Sequence, residues 1–320
     1  MNKITIIGAG FSASVLSYYL NEKDIIVFDK ARGPGGRSST RKVDGIGVFD
    51  HGLQYIAPKN KEFLEYIENL KLVKKWEGDF IDFENKKLLP QNKKFIGIHG
   101  NNDFIKSNLN LENCKFAHKI DKIEHSGSYW NLTTDAGEIY KAETVILTLP
   151  QMQAYELIKN LNVNFDTKDN YMKPCFSLML AVKNNKLFKS SGYVINHSKI
   201  ISWCANESSK AREQNNKELI LLTIQSHEEY GFKNFKQYKE NKEEILDEML
   251  EEFLKIFKLK KEDIVHQNIH GWLYAFCDDV ASPIFWDKKI NLGITGDWLS
   301  GGRAENAWNN AKILAQTINS

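Results

Sequence analysis

The stretch Ile4-Thr5-Ile6-Ile7-Gly8-Ala9-Gly10-Phe11-Ser12-Ala13 decides the fold of this chain. A short apolar run leads into a glycine turn, and residues 11–20 follow with neither Pro nor Gly. A strand, a tight turn and a helix in this order form the fingerprint of a dinucleotide-binding fold. Gly8 lets the chain turn sharply, Gly10 lets the backbone approach a pyrophosphate, and Ala13 lets the helix pack closely on the strand. The unpaired N–H groups of the first helical turn then point at the phosphates.

A second apolar run, Ile25-Ile26-Val27-Phe28, ends in Asp29, which lies 21 residues after Gly8. A carboxylate at the end of the second strand is placed to accept hydrogen bonds from a ribose 2′-hydroxyl. A glycine turn alone is a weak indication, since many glycine turns are simply turns. The turn, its two strands and the acid together predict a bound dinucleotide.

The composition is that of an ordinary globular protein, with 42% hydrophobic and 26% charged residues. The 320 residues suit one large domain or two closely joined domains. A net charge of +2 gives no reason to expect nucleic-acid or membrane binding. The first residues pass directly into a strand pattern, so we expect no leader segment, and no apolar run approaches the roughly 18 residues of a membrane span. Four widely spaced cysteines favour reduced thiols in a cytoplasmic protein over disulfides or a metal site.

Apolar periodicity predicts the other elements. The predicted helices cover 59–70, 103–109, 233–258 and 304–319. The segment 47–55 is predicted as a strand that runs into a turn. The other predicted strands cover 76–96 as short hairpins, 115–124, 128–133, 138–141, 144–149, 175–182, 192–196, 199–204, 218–225, 265–276 and 290–295. The run 144–149 is continuously apolar, which is typical of a parallel strand covered on both faces. The strands from 175 to 225 favour a separate antiparallel sheet, so we expect a discontinuous nucleotide domain with a substrate domain inserted into it.

Three glycine-rich segments, 8–13, 33–37 and 296–302, each follow a strand that we assign to the parallel sheet. Ligands of such sheets bind beyond the carboxyl ends of the strands. We therefore expect the three segments to converge on one crevice.

Two charged side chains of these segments have alternative interpretations. Arg37 is placed to pair with a phosphate, or it is a surface arginine beside a flexible turn. Asp297 is placed to bind ribitol hydroxyls, or it belongs to an ordinary turn before a helix. The helix that begins near Ala304 would direct its N-terminal dipole at a ring carbonyl that gains negative charge on reduction.

Six motifs together resemble the renalase-like branch of the flavin amine-oxidase superfamily. They are Gly8-x-Gly10-x-x-Ala13, Asp29-Lys30-x-Arg32-Gly33-Pro34-Gly35-Gly36-Arg37, Phe49-Asp50-His51-Gly52-x-Gln54-Tyr55, Leu149-Pro150-x-x-Gln153-Ala154, His270-x-Trp272-x-Tyr274-Ala275 and Gly296-Asp297 with Gly302-Arg303-x-Glu305-x-Ala307-Trp308. Residues 155–265 match only in general layout. The family usually has Gly at positions 13 and 306, where this chain has Ala13 and Asn306, and Glu is common at position 29.

The resemblance implies an α/β fold with a Rossmann-like FAD-binding domain similar to that of p-hydroxybenzoate hydroxylase. It implies an inserted α+β substrate domain on an antiparallel sheet. The expected boundaries are 1–58, 97–152 and 286–320 for the FAD domain, and 59–96 and 153–285 for the substrate domain.

The resemblance also implies non-covalently bound FAD. Gly8, Gly10 and Ala13 would lie at the pyrophosphate, Asp29 at the ribose and Arg37 near a phosphate. Gln54 would lie close to the isoalloxazine, Asp297 at the ribitol, and Ile120 would hold the adenine through its backbone. The remaining expected FAD-binding residues are Phe11, Ser12, Lys30, Arg32, Gly36, Ser38, His51, Gly52, Leu53, Gly296, Glu305, Asn306 and Ala307.

Renalase-like enzymes oxidise the 2- or 6-dihydro isomers of NAD(P) to NAD(P)+ and reduce O2 to H2O2. Such a donor already carries a labile hydride, so the site needs no general base. His270, Trp272 and Tyr274 share one face of a strand and, with Trp308, are the candidate catalytic residues. The alternative is an aromatic core stripe with a hydrogen-bonded histidine. For His51, which follows Asp50 in a turn at the flavin, the preferred interpretation is a structural, hydrogen-bonding histidine.

Two other functions stay open at this stage. A flavin amine oxidase would use the same aromatic residues as a cage for a small uncharged amine. A flavin-binding redox sensor would carry out no turnover. The expected partners are a dinucleotide substrate and O2, with no nucleic acid and no membrane, and the protein is expected to be a monomer or a homodimer.

Overall fold

Strand Asn2–Ile7 (β1) forms the centre of the larger sheet in the computed structural model, which describes residues 1–163, 165, 172–183, 187–277 and 284–320. The further strands are β2 Ile25–Asp29, β3 Thr40–Val43, β4 Gly47–Asp50, β5 Val73–Lys75, β6 Phe80–Asp82, β7 Lys87–Leu88, β8 Phe95–Gly97, β9 Cys114–Phe116, β10 Ile120–His125, β11 Trp130–Thr134, β12 Ile139–Leu147, β13 Lys173–Lys183, β14 Gly192–Val194, β15 Ile201–Asn206, β16 Leu219–Ser226, β17 Ile264–Phe276, β18 Phe285–Asp287 and β19 Leu292–Ile294. The helices are α1 Phe11–Tyr19, α2 Lys61–Glu68, α3 Asp103–Lys106, α4 Gln151–Ile158, α5 Glu228–Glu240, α6 Lys242–Phe257 and α7 Ala304–Asn319.

Strands β19, β12, β1, β2 and β9 run parallel in that order. Ile7 lies opposite Leu147, and Leu147 lies opposite Ile294, so these strands end at one edge of the sheet. The loops that follow these strands, including the turn at Gly8 and the segment from Gly296, therefore emerge side by side. The strand predicted for 290–295 and its place in the parallel sheet are confirmed.

Strand β12 is one continuous strand, although the sequence predicts two strands at 138–141 and 144–149. Its first half pairs antiparallel with β11, and its second half pairs parallel with β1 and β19. The polar first half of β12 is more exposed than its apolar second half. Because the sequence pattern changes with burial, it predicts two strands where the backbone forms one.

Two apolar clusters cover the faces of the parallel sheet. Helices α1, α2 and α7 contribute to the cluster on one face, and α4 with the β10–β11 hairpin contributes to the cluster on the other. Helix α2 lies within 59–96, the segment that we assign to the substrate domain, yet its Phe63 packs in the first cluster. The domain boundaries stay a prediction; residues 164, 166–171, 184–186 and 278–283 of the proposed substrate domain lie outside the described residues.

The second sheet has seven strands in the order β17-β13-β16-β15-β14-β6-β7. All neighbours in it are antiparallel except β14 and β6, so the prediction of a separate, largely antiparallel sheet is confirmed. Helices α5 and α6 cover one face. The prediction of a single helix over 233–258 is wrong. The backbone of Asn241 is not helical, so this residue ends α5 and is the N-cap of α6.

Two further features concern the helices and the cysteines. No described helix combines the length and the apolar character that a membrane crossing requires. All four cysteines are free thiols, two of them buried and two half-buried.

Candidate functional site

The first glycine segment has the geometry that its sequence predicts. Gly8 has a φ of +107°, and a Cβ there would lie 2.7 Å from Thr148 Oγ1. Gly10 precedes α1, and a Cβ built on it meets no described atom within 4 Å. Gly8 is therefore needed for the backbone turn, whereas Gly10 leaves open space in front of the helix. Ala13 is fully buried in the core between helix and sheet.

Asp29 holds two loops at the end of β2. Its Oδ2 accepts a hydrogen bond of 2.7 Å from the Ala9 N–H, and its Oδ1 accepts one of 2.7 Å from the Ala31 N–H. Each carboxylate oxygen keeps a further lone pair for a hydroxyl donor. The position of Asp29 thus fits a ribose-binding carboxylate, and it also orders the glycine turn.

The second glycine segment contacts both the first and the third. The Gly35 N–H donates to the Ala9 carbonyl at 3.0 Å. Arg37 forms a two-pronged ion pair with Asp297, in which Nη1 lies 2.7 Å from Oδ2 and Nη2 contacts Oδ1. The structure therefore brings the three glycine-rich segments together, and it pairs Arg37 with Asp297 rather than leaving either as an isolated surface group.

The turn at His51–Gln54 docks onto the same place. The Leu53 N–H donates to the Arg37 carbonyl at 2.8 Å, and a Cβ at Gly52 would overlap that carbonyl oxygen. The buried Gln54 donates through Nε2 to the Gly52 carbonyl at 2.9 Å, while its Oε1 has no partner among the described residues. This turn can exist only with Gly at position 52, and it leaves a buried acceptor beside the crevice.

Two residues of β17 form a wall with this turn. The Trp272 Nε1 donates to the His51 carbonyl at 2.7 Å. The ring centroids of His51 and His270 lie 4.8 Å apart, and those of His270 and Trp272 lie 4.4 Å apart. Burial lowers the pKa of His51 to about 3 and that of His270 to about 4, so both imidazoles are neutral at neutral pH. His51 Nδ1 is buried and has no partner in the described part of the chain.

The structure removes Trp308 from the candidate catalytic residues and separates Tyr274 from the others. Trp308 is buried in the helical core, 5.2 Å from the Phe63 ring, and donates to Tyr19. Tyr274 packs against the apolar cluster below the sheet that contains Trp298. The β13–β17 ladder is irregular between Trp272 and Phe276, so strict alternation does not carry Tyr274 onto the wall with Trp272.

The start of α7 is tied to its surroundings by side chains. Asn306 Nδ2 donates to the carbonyls of Ser300 and Gly301, each at 2.7 Å. Glu305 accepts from the backbone N–H groups that precede α2. Asn306, at the position where the family usually has Gly, thus fixes the loop between Asp297 and α7.

The other residues expected at FAD are distributed around this crevice. Phe11 packs on aromatic rings of α2 and α3, and Ile120 begins β10 beside a turn that is hydrogen-bonded to Asp29. Four of the remaining positions are buried, namely Ser12, Ser38, Gly296 and Ala307. The other three, Lys30, Arg32 and Gly36, are exposed. Whether each of them binds FAD stays a prediction.

Sequence reasoning missed a buried charge cluster made of Asp50, Glu207, Lys210 and Arg212. All four side chains have no exposed surface. Asp50 Oδ2 lies 2.8 Å from Lys210 Nζ and 2.6 Å from Arg212 Nη2, and Glu207 bonds to both cations. Burial alone would raise the pKa of Asp50, but Lys210 and Arg212 hold it below its ordinary value. The cluster therefore anchors the residue that immediately precedes His51. No local pattern indicated it, because Lys210 lies 160 positions from Asp50.

Three features of the crevice fit FAD. Gly10 leaves room where a pyrophosphate would lie, and a Cβ on Gly36 would come within 3.5 Å of the Gly10 Cα. Gln54 Oε1 and His51 Nδ1 are buried hydrogen-bonding atoms without described protein partners.

Comparisons with known proteins agree with this geometry. A family model for the NAD(P)-binding Rossmann-like domain matches residues 6–70. A protein from Exiguobacterium sp. 255-15 assigned as a protoporphyrinogen oxidase has a similar structure, with a TM-score of 0.74 at 12% identity over 99% of this chain and 98% of that chain. A triple mutant of putrescine oxidase has a TM-score of 0.72 at 12% identity over 99% and 98% of the chains. For cyclohexylamine oxidase from Brevibacterium oxydans IH-35A the TM-score is 0.71 at 11% identity, over 99% and 98%. The chain thus has a Rossmann-like dinucleotide-binding α/β fold, and it shares its overall fold with these three proteins.

Proposed function

We propose that this protein is an FAD-dependent oxidase of the renalase type. Its substrates would be the 2- or 6-dihydro isomers of NAD(P), and its FAD-binding domain would be of the p-hydroxybenzoate hydroxylase type. The observation that carries the proposal is the meeting of three glycine-rich segments, joined by Arg37 and Asp297, beside a wall of His51, His270 and Trp272.

The reaction balances as dihydro-NAD(P) + O2 + H+ giving NAD(P)+ + H2O2. When bound, FAD supplies the hydride acceptor and passes the two electrons to O2. Gly8 and Gly10 would hold the pyrophosphate at the start of α1, and Asp29 would accept hydrogen bonds from the ribose. Asp297, held in place by Arg37, would bind ribitol hydroxyls.

The histidines of the wall would orient the substrate without transferring a proton. Because burial keeps His51 and His270 neutral, each ring carries one donor and one acceptor nitrogen, and the unpartnered Nδ1 of His51 would hydrogen-bond a carboxamide-bearing ring. Trp272 would contribute a flat apolar surface against which such a ring packs. A dihydronicotinamide ring gives up its hydride without a general base, so this set of side chains is sufficient for its oxidation.

An amine oxidase is the second candidate, and the names of the similar structures are the reason to consider it. Two of the similar structures are named for amines, as putrescine oxidase and cyclohexylamine oxidase. Trp272 would then serve as one side of an aromatic cage, although Trp308 lies too deep in the core to form another. A redox sensor that binds FAD without turnover is the third candidate.

Anaerobic mixing of the FAD-loaded protein with each compound distinguishes the three. We expect the dihydro isomers to bleach the visible flavin absorbance rapidly, and putrescine and cyclohexylamine to leave it unchanged. Admission of O2 should restore the absorbance with one H2O2 per isomer oxidised. Bleaching by an amine alone would establish the amine oxidase, and bleaching by none of the compounds would leave the redox sensor.

Several further statements belong to the same proposal. FAD would be held without a covalent bond, so heat denaturation should release it. The partners would be the dinucleotide substrate and O2, with neither nucleic acid nor a membrane involved. The protein would act in the cytoplasm as a monomer or a homodimer.

A further inference from the structure

Arg41 is a half-buried cation beside the histidine wall. It lies in β3 opposite Phe49 of β4, and its Nη1 donates to Asn268 Oδ1 of β17 at 2.8 Å. Within the residues that the structure describes, no carboxylate lies within ion-pair distance of its guanidinium. A half-buried arginine whose partner is a neutral amide retains most of its five donors.

The strand geometry directs Arg41 toward the wall. Alternate residues of β3 face opposite sides, so Arg41 points to the side of β17 while its neighbour Lys42 lines a cleft on the other side. On β17, Asn268 and His270 share one face. Arg41, Asn268 and His270 therefore lie together where the β3–β4 ribbon meets one face of β17.

Among the described residues around Arg41 we find no carboxylate that is free to pair with it. Burial first, and then Arg41, lowers the pKa of both His266 and His270. Asp50 is the carboxylate next to His51, and Lys210 and Arg212 already neutralise it. A site with this charge pattern attracts an anion and repels an ammonium group.

We propose that Arg41 and Asn268 form a binding site for a phosphate group of the substrate. The planar guanidinium would donate two parallel hydrogen bonds to the phosphate oxygens, and the Asn268 carbonyl would hold the guanidinium in orientation. This inference rests on the proposed function where it identifies the phosphate as that of a dihydronicotinamide nucleotide.

Calorimetric titration of the FAD-loaded protein tests the site without requiring turnover. The probes are nicotinamide mononucleotide and nicotinamide riboside, which differ by one phosphate, together with inorganic phosphate. The variants are Arg41→Gln and Arg41→Lys, with Lys42→Gln as a matched control on the opposite face of the same strand. FAD content and melting temperature show that each variant is folded and loaded.

We expect the wild type and Lys42→Gln to bind the mononucleotide about tenfold or more tightly than the riboside, because a charge-assisted bidentate contact is lost in the riboside. Arg41→Gln should remove that preference and leave the affinity for the riboside unchanged, and Arg41→Lys should restore part of it. Equal binding of the two probes by the wild type, or a preference that survives in Arg41→Gln, would overturn the proposal. Tight binding of inorganic phosphate, equal to that of the mononucleotide, would overturn its assignment to the substrate.

The two proposals fail separately. If no dihydro isomer reduces the flavin but the mononucleotide binds through Arg41, the phosphate site stands and the renalase-type reaction falls. If the isomers are oxidised and Arg41→Gln binds both probes like the wild type, the reaction stands and the phosphate site falls.

Discussion

Arg37 and Asp297 lie 260 positions apart in the chain and face each other as a two-pronged ion pair, with Nη1 2.7 Å from Oδ2. Asp297 is almost fully buried, whereas a third of the Arg37 side chain is exposed. The pair joins the loop after β2 to the turn after β19, which are the two loops expected on either side of FAD. The ion pair therefore holds the two loops together and, at the same time, fixes the positions of both charged side chains.

Asp297→Asn should weaken both folding and FAD retention. Loss of the carboxylate charge leaves Arg37 without its partner, and we expect a cost of about 1–3 kcal/mol in the free energy of unfolding because the pair is only partly buried. Urea unfolding and FAD titration measure the two effects. Glu143→Gln, which breaks the exposed pair with Lys3, is the control and should change stability by less than about 1 kcal/mol. Unchanged stability and FAD affinity in Asp297→Asn would show that the pair has no role.

Gly10→Ala should separate cofactor binding from folding. The added Cβ meets nothing within 4 Å and the φ of −95° suits alanine, so the apoprotein should melt as the wild type does. FAD affinity should fall about tenfold or more, because the methyl group occupies the space of the pyrophosphate. Gly33→Ala, also in open space, is the matched control and should retain FAD. Wild-type FAD affinity in Gly10→Ala would place the pyrophosphate elsewhere.

Lys210→Met should destabilise the protein strongly. It leaves Asp50 and Glu207 buried with Arg212 as their one remaining cation in the cluster, and breaking such a network costs about 3–5 kcal/mol. Chemical denaturation gives this value, and the exposed Lys199→Met should change it by less than about 0.5 kcal/mol. A small effect in Lys210→Met would mean that the cluster rearranges around the loss.

Asn306→Ala should loosen the loop before α7. The substitution removes two hydrogen bonds to Ser300 and Gly301, and we expect a loss of about 1–2 kcal/mol in the free energy of unfolding. Asn309→Ala, at an exposed position of the same helix, should be neutral or slightly stabilising because alanine favours helix. If both variants behave alike, the contacts of Asn306 contribute nothing to stability.

The histidine wall should make stability depend on pH. The folded-state pKa values of about 3 for His51 and about 4 for His270 lie below the ordinary value, so in the window from about 6.5 down to 4 the unfolded chain binds more protons. The contribution of the two neutral histidines to the free energy of unfolding is therefore fully present above pH 6.5. It falls as the pH drops through this window, by roughly 1 kcal/mol per pH unit for each histidine. His270→Gln should flatten that slope by about half of the contribution of the pair. An unchanged slope would show that His270 is not buried as a neutral imidazole.

The local part of the fold could be predicted from sequence. The spacing of Gly8, Gly10 and Asp29 indicated β1, α1 and β2, and the continuous apolar run ending near Leu147 indicated a parallel strand. Helix α7 was predicted closely because its apolar residues recur at helical spacing. The same periodicity could not show whether Trp308 faces the core or a ligand, because both arrangements give the same helical spacing of apolar residues.

The sequence by itself determined the dinucleotide-binding unit, because its glycines, strands and carboxylate act within about thirty residues of one another, as such a βαβ unit requires. Only the tertiary structure decided that Arg37 pairs with Asp297, that Lys210 reaches Asp50 across 160 positions, and that Arg41 meets Asn268. Such pairings depend on how strands distant in sequence are placed side by side and, for Lys210 and Arg41, on how the two sheets meet, which no local spacing encodes. Their energies come from burial and charge in the folded interior, and these exist only once distant segments have met.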